Sequence, residues 1–153
     1  MNLRLCLALL LAVGSTVTRA DVSLPKVFSS HMVLQRDMPI HIWGLAAPGE
    51  KVAVDFHNST ASATANDLGR WSVYLPAQSA GGPFTLTVRA ANTVTLEDIL
   101  MGDLWLASGQ SNMEMPLAGF SNAPLKDSEK EIAAADHPQI RLLVVDRQHN
   151  LTS

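Results

Sequence analysis

Between Pro25 and Leu96, apolar residues recur at every second position in short runs: Ile40 and Ile42, then Val52, Val54 and Phe56. This is the period of a strand with one face buried. Similar runs cover Trp71 to Leu75 and Phe84 to Ala90. Ala47-Pro48-Gly49, Asn66-Asp67-Leu68-Gly69 and Gly81-Gly82-Pro83 separate them and supply the fixed or positive φ angles of tight reversals. Short strands with closely spaced turns predict an antiparallel β-sandwich over residues 21–98. Trp43, Phe56, Trp71 and Phe84 lie within strand-like runs and are read as core residues rather than as a sugar-stacking platform.

From Leu96 to Gly102 the pattern changes. The apolar run Ile99 to Leu106 ends in Leu104-Trp105-Leu106-Ala107, which reads as a central strand covered on both faces. Lys126 to Ala135 is rich in Ala, Glu and Lys and predicts a helix, and Ile140 to Val145 predicts a second buried strand. Strand, turn, helix and strand form the first βαβ unit of a doubly wound α/β domain, assigned to residues 99–153. Two strands are too few to bury a core, so this second domain reads as incomplete.

The first 20 residues stand apart. Arg4 precedes the apolar stretch Leu5 to Val13, and Thr18-Arg19-Ala20 offers the small residues that a signal peptidase reads. Residues 1–20 are therefore expected to be a signal peptide and the protein to be secreted or periplasmic. The apolar stretch is too short for a stable membrane span. Cys6, the single cysteine, falls within it, so the exported chain is expected to lack thiols and disulfides. Loss of Arg4 and Arg19 takes the formal charge from −3 to −5, and no basic cluster remains to track a phosphate backbone; nucleic acid is not expected as a partner. Asn58-Ser59-Thr60 and Asn150-Leu151-Thr152 match the glycosylation sequon and are read as chance matches.

The candidate chemistry sits in Ser108-Gly109-Gln110-Ser111-Asn112-Met113-Glu114, directly after the apolar run. A serine where a buried strand runs out into a Gly-flanked turn is placed as a hydrolase nucleophile, although a helix-capping serine fits the same turn. Gln110, Asn112 and Glu114 flank it, either supporting the turn and oxyanion or contacting substrate. His137 and His149 are read as loop histidines and His31, His41 and His57 as structural. No His, Asp, Glu or Cys cluster has metal-ligand spacing, so neither a metal nor another cofactor is expected.

Five motifs occur in order: Met32-Val33-Leu34-Gln35-Arg36; Trp43-Gly44 with Pro48-Gly49-Glu50; Gly69-Arg70-Trp71; Gly102-Asp103-Leu104-Trp105; and Ser108-Gly109-Gln110-Ser111-Asn112-Met113. Together, over about residues 25 to 120, they resemble the N-terminal part of the sialate O-acetylesterase family, carbohydrate esterases of the SGNH-hydrolase type. The resemblance implies a β-domain followed by a flavodoxin-like α/β hydrolase domain that removes O-acetyl groups from sialic acids or related sugars. It makes Ser111 the nucleophile, with the Ser111 backbone N–H as one oxyanion donor. Further donors and the catalytic His and Asp are implied to lie farther along, so these 153 residues alone are expected to be inactive. A non-catalytic β-sandwich that binds carbohydrate or protein is the alternative reading.

Overall fold

The computed structural model describes residues 21–145. The expected signal peptide, Cys6, His149 and the second sequon lie outside them. The described chain is mostly strand. Seven strands follow one another: β1 (Val33–Gln35), β2 (Ile40–Leu45), β3 (Lys51–Phe56), β4 (Ser59–Thr64), β5 (Arg70–Leu75), β6 (Gly81–Arg89) and β7 (Thr93–Gly102). They form a five-stranded sheet in the order β1-β7-β6-β3-β4 and a two-stranded sheet of β2 and β5. All pairings are antiparallel except β1 with β7.

The alternation in the sequence decides which side chains enter the core. Ile40 and Ile42 of β2 and Trp71, Val73 and Leu75 of β5 point inward, and their neighbours face out. Val52, Val54 and Phe56 of β3, Leu86 and Val88 of β6, and Ile99 and Met101 of β7 complete a single apolar core with them. Most of the driving force for folding is concentrated here, at about 25 cal/mol for each Å² of apolar surface removed from water.

Two of the three predicted reversals form as read. In the first, Glu50 N–H donates to the Ala47 carbonyl at 3.0 Å and its carboxylate accepts the Ala47 N–H at 3.0 Å. In the second, Asn66 Oδ1 accepts from the N–H groups of Leu68 and Arg70 at 3.0 and 2.9 Å. Gly69 follows at φ +72°, where a Cβ would lie 2.5 Å from the Ala46 carbonyl oxygen. Gly81-Gly82-Pro83 is instead the irregular start of β6, with register shifts between Gly81 and Phe84 and between Phe84 and Leu86. A proline has no N–H to donate to a ladder, which fits this break in pairing.

The line drawn between residues 98 and 99 falls inside β7. Ile99 and Met101 pack in the core of the strand-rich region rather than opening a second sheet. After Gly102 the chain changes character. It forms α1 (Ser111–Glu114), the two-residue strands β8 (Gly119–Phe120) and β9 (Ala123–Pro124), and α2 (Ser128–Ala133). Neither Leu104–Ala107 nor Ile140–Val145 is a strand, contrary to the sequence reading. Their apolar side chains face solvent: Leu106 is 96% exposed, Leu142 90% and Trp105 89%. A strand needs a partner for its backbone N–H and C=O groups, and among the described residues these runs have no neighbouring strand to pair with. The helix expected over Lys126–Ala135 shortens to Ser128–Ala133 for a related reason: none of its residues is buried, and so short a helix has little stability of its own.

Candidate active site around Ser111

Ser111 is exposed. It is the first residue inside α1, with Gln110 in the capping position. The turn closes through the Met113 N–H on the Gln110 carbonyl at 2.9 Å and the Met115 N–H on the Ser111 carbonyl at 3.1 Å. Gln110 makes no side-chain cap to the helix. Gly109 fits because of its missing side chain, since a Cβ there would come within 2.9 Å of Met113 Cγ. Asn112 and Glu114 are exposed beside the serine. The serine therefore presents its hydroxyl on a tight turn, but not at the edge of a parallel sheet, because no strand precedes it after Gly102.

The histidines are distributed away from this turn. His31 Nδ1 lies 2.6 Å from Asp98 Oδ2. His41 stacks on Tyr74 with centroids 4.3 Å apart, and His57 meets Asn58 and the Phe84 ring. His137 is exposed in the loop after α2, where its carbonyl accepts the Ile140 N–H. None of these four rings is hydrogen-bonded to Ser111. Among the described residues, no group of three or more His, Cys, Asp or Glu side chains is placed to hold a metal ion, and no helix is long and apolar enough to cross a membrane.

Two polar clusters join the segment that carries Ser111 to the strands. At its start, Arg36 Nε and Nη2 straddle the Asp103 carboxylate at 2.9 and 3.4 Å, and Nη1 reaches Asp37 at 3.0 Å. The Arg36 N–H donates to the Gly102 carbonyl at 2.9 Å, and Gln35 Oε1 accepts the Leu104 N–H at 2.9 Å. The two-pronged contact with Arg36 holds the Asp103 carboxyl below the usual carboxylate range. At the far end, Arg141 Nη2 donates to Asp98 Oδ1 at 2.9 Å, and Nη1 donates to the carbonyls of Asp98 and, at 3.4 Å, Met32. His31 and then Arg141 hold the Asp98 carboxyl below its ordinary range. Both His31 and Asp98 sit at positive φ, 66° and 55°.

With this geometry established, the chain can be set beside known proteins. It is 34% identical over 106 residues to the sialate O-acetylesterase of Mus musculus, covering 61% of this chain and 20% of that protein. It is 33% identical over 129 residues to the Homo sapiens sialate O-acetylesterase, covering 76% of this chain and 24% of that one. Among solved structures, a carbohydrate acetylesterase from Xanthomonas citri superposes with a TM-score of 0.71 at 41% identity, over 78% of this chain and 26% of the other. No family model matches.

The chain is similar to the sialate O-acetylesterases, as its motifs imply. It spans about a quarter of the length of the relatives it matches, or somewhat less.

Seen beside these esterases, two of the sequence motifs meet in space. Gln35 and Arg36 of the first grip Gly102, Asp103 and Leu104 of the fourth. The sequence reading did not single out these residues as site components, nor Asp98 or Arg141. The motif containing Gln35 and Arg36 was a visible signal; nothing in the pattern around Arg141 pointed to Asp98, 43 positions away.

Proposed function

We propose that this chain is the leading part of a secreted carbohydrate O-acetylesterase, a β-sandwich followed by the start of an SGNH-type α/β hydrolase domain, with Ser111 as nucleophile. The observation that carries this reading is the likeness to a carbohydrate acetylesterase at 41% identity and a TM-score of 0.71, joined to a serine held exposed at the start of α1. The Ser111 hydroxyl attacks the acetyl carbonyl of an O-acetylated sugar, the sugar hydroxyl departs, and water releases acetate from the acetyl-enzyme. The base that takes the serine proton, and the carboxylate that orients it, come from outside the described residues. Gln110, Asn112 and Glu114, all exposed near the serine, support the turn and oxyanion or contact substrate. Sialic acids and other acetylated sugars are the substrate class.

The exposed apolar runs Leu104–Ala107 and Ile140–Val145 support the same reading, since they have the composition of central strands and become strands when the remainder of an α/β sheet supplies their neighbours. The test is acetate release from an O-acetylated sialic acid by the intact natural protein and its Ser111→Ala variant. A fall of about 10³-fold or more in the variant is expected; undiminished release would refute the nucleophile. Residues 1–153 alone are expected to release no acetate, and Ser111-dependent hydrolysis of p-nitrophenyl acetate by that piece would overturn this part.

A further inference from the structure

We propose that the strand-rich region carries a saccharide-binding cleft of its own, which takes a carboxylated pyranose: Trp43 packs along the sugar ring and Arg70 pairs with the carboxylate. The cleft stands apart from Ser111 and does not depend on the reading of that serine as nucleophile.

The platform follows from the strand pairing. Between β2 and β5, His41 lies opposite Tyr74, Trp43 opposite Ser72 and Leu45 opposite Arg70, and all six face outward. The alternation that buries Ile40, Ile42, Trp71 and Val73 thus sets three rings and a cation on one outer face. His41 stacks on Tyr74 and lies 5.0 Å from the Trp43 ring, which Phe28 meets edge-on at 4.6 Å. Rings held by one another lose little freedom when a ligand arrives. Ser72 is too small to cover the indole across the ladder, and Trp43 is 39% exposed. Its apolar ring suits the C–H face of a sugar.

Beside this face opens a cleft of about 820 Å³, within the size range of small-molecule sites. His41, Trp43, Arg70 and Trp71 line it together with Thr64 and Asn66. No Asp or Glu does so, and the Arg70 guanidinium has no hydrogen bond or ion pair among the described residues. A guanidinium in a cleft without carboxylates is complementary to an anion, and its planar fork fits a carboxylate oxygen pair. Trp71 is 4% exposed, and its Nε1–H is buried without an acceptor among the described residues. Buried donors are almost always paired, so this one points to an acceptor brought by a ligand.

The cleft and the proposed hydrolase domain start from opposite edges of one sheet. Thr64 belongs to β4, the edge strand on one side. Asp103 and Leu104, where the segment bearing Ser111 begins, are held beside β1 on the other.

The test is hydrogen exchange of the intact natural protein with and without sialyllactose, a carboxylated probe, and with lactose as its neutral counterpart. Millimolar sialyllactose should slow exchange in residues 41–45 and 63–72, and lactose should do so less. Arg70→Gln should weaken sialyllactose about ten-fold, the size expected for a lost charge-assisted pair, and bring it to the level of lactose. Its side chain is exposed and unpaired among the described residues, so the fold does not rely on it. Trp43→Ala should weaken both sugars. Absence of any sugar-dependent change in those residues, as when the rest of the protein covers the cleft, would overturn the proposal. Equal protection by lactose, or protection that survives Arg70→Gln or Trp43→Ala, would overturn it too. Slowed exchange confined to the turn around Ser111 would put the sugar there and not in the cleft, again overturning it.

Discussion

The strand-rich region up to Gly102 and the segment that follows it are built on opposite principles. In the first, the inward-facing apolar side chains are buried and the strands of each sheet satisfy one another's backbone groups, although Trp43, read from the sequence as a core residue, lies on the outer face of β2 and is 39% exposed. In the second, residues at least as apolar stand in water and the connection to the rest is polar, made by Arg36 with Asp103 and Arg141 with Asp98. The difference shows that hydrophobicity alone does not make a core. Val52 and Val54 find partners within a few strands of chain, whereas Leu104–Ala107 and Ile140–Val145 have none to pair with among the described residues.

The contrast is broken most sharply in the core. Phe56→Ala should cost about 3–5 kcal/mol because Phe56 is 1% exposed and its removal leaves a cavity. Leu106→Ala should change the stability of this chain by less than about 0.5 kcal/mol. Urea unfolding of the two variants measures both, and equal losses would contradict the division drawn here.

A second variant probes how closely β2 approaches its neighbours. A Cβ on Gly44 would lie 2.2 Å from the Ser23 carbonyl oxygen and 2.9 Å from the Trp71 ring, so Gly44→Ala should destabilise by about 1–3 kcal/mol through forced displacement of backbone. A midpoint of thermal unfolding equal to the parent's would show that the bridge between Ser23 and Leu45 is dispensable.

The smallest effect sharpens the polar side. The Asp98 carboxyl titrates below its ordinary range, chiefly through the His31 hydrogen bond and then through that of Arg141. A carboxylate with a lowered folded-state pKa contributes stability above its unfolded value, about 3.9, and loses that contribution as pH falls through the folded value. The melting temperature of Asp98→Asn should therefore lie at most a few degrees below the parent's, because the group is exposed and screened. That gap should close below about pH 4, as the carboxyl takes up its proton. A gap that stays open at the acid end of the titration would contradict the pairing. Asn is the fitting replacement because it tolerates the left-handed backbone at this position.

Much of the strand-rich region was legible in the sequence because its information is local. Period-two runs gave β3 and β5 within a residue and the start of β2, and Asn66 with Gly69 marked a reversal by its own chemistry. Gly81-Gly82-Pro83 misled because its turn-forming residues serve here to bend the start of a strand. At the candidate site, the serine, its glycine and the onset of a helix were legible from the turn. Its anchoring was not, since Arg36 with Asp103 and Arg141 with Asp98 join residues 67 and 43 positions apart.

By itself, the sequence determined which residues alternate, where the chain reverses, and which serine stands on a turn, because each follows from neighbours a few positions away. Only the tertiary structure decided that Ile99 and Met101 belong to the first core, that Leu104 to Ala107 is not a strand, and that two arginines tie the serine-bearing loop to β1 and β7. Burial and ion pairing depend on what lies across space. An apolar run becomes a strand, and a charged side chain becomes a tether, only when a partner is within reach.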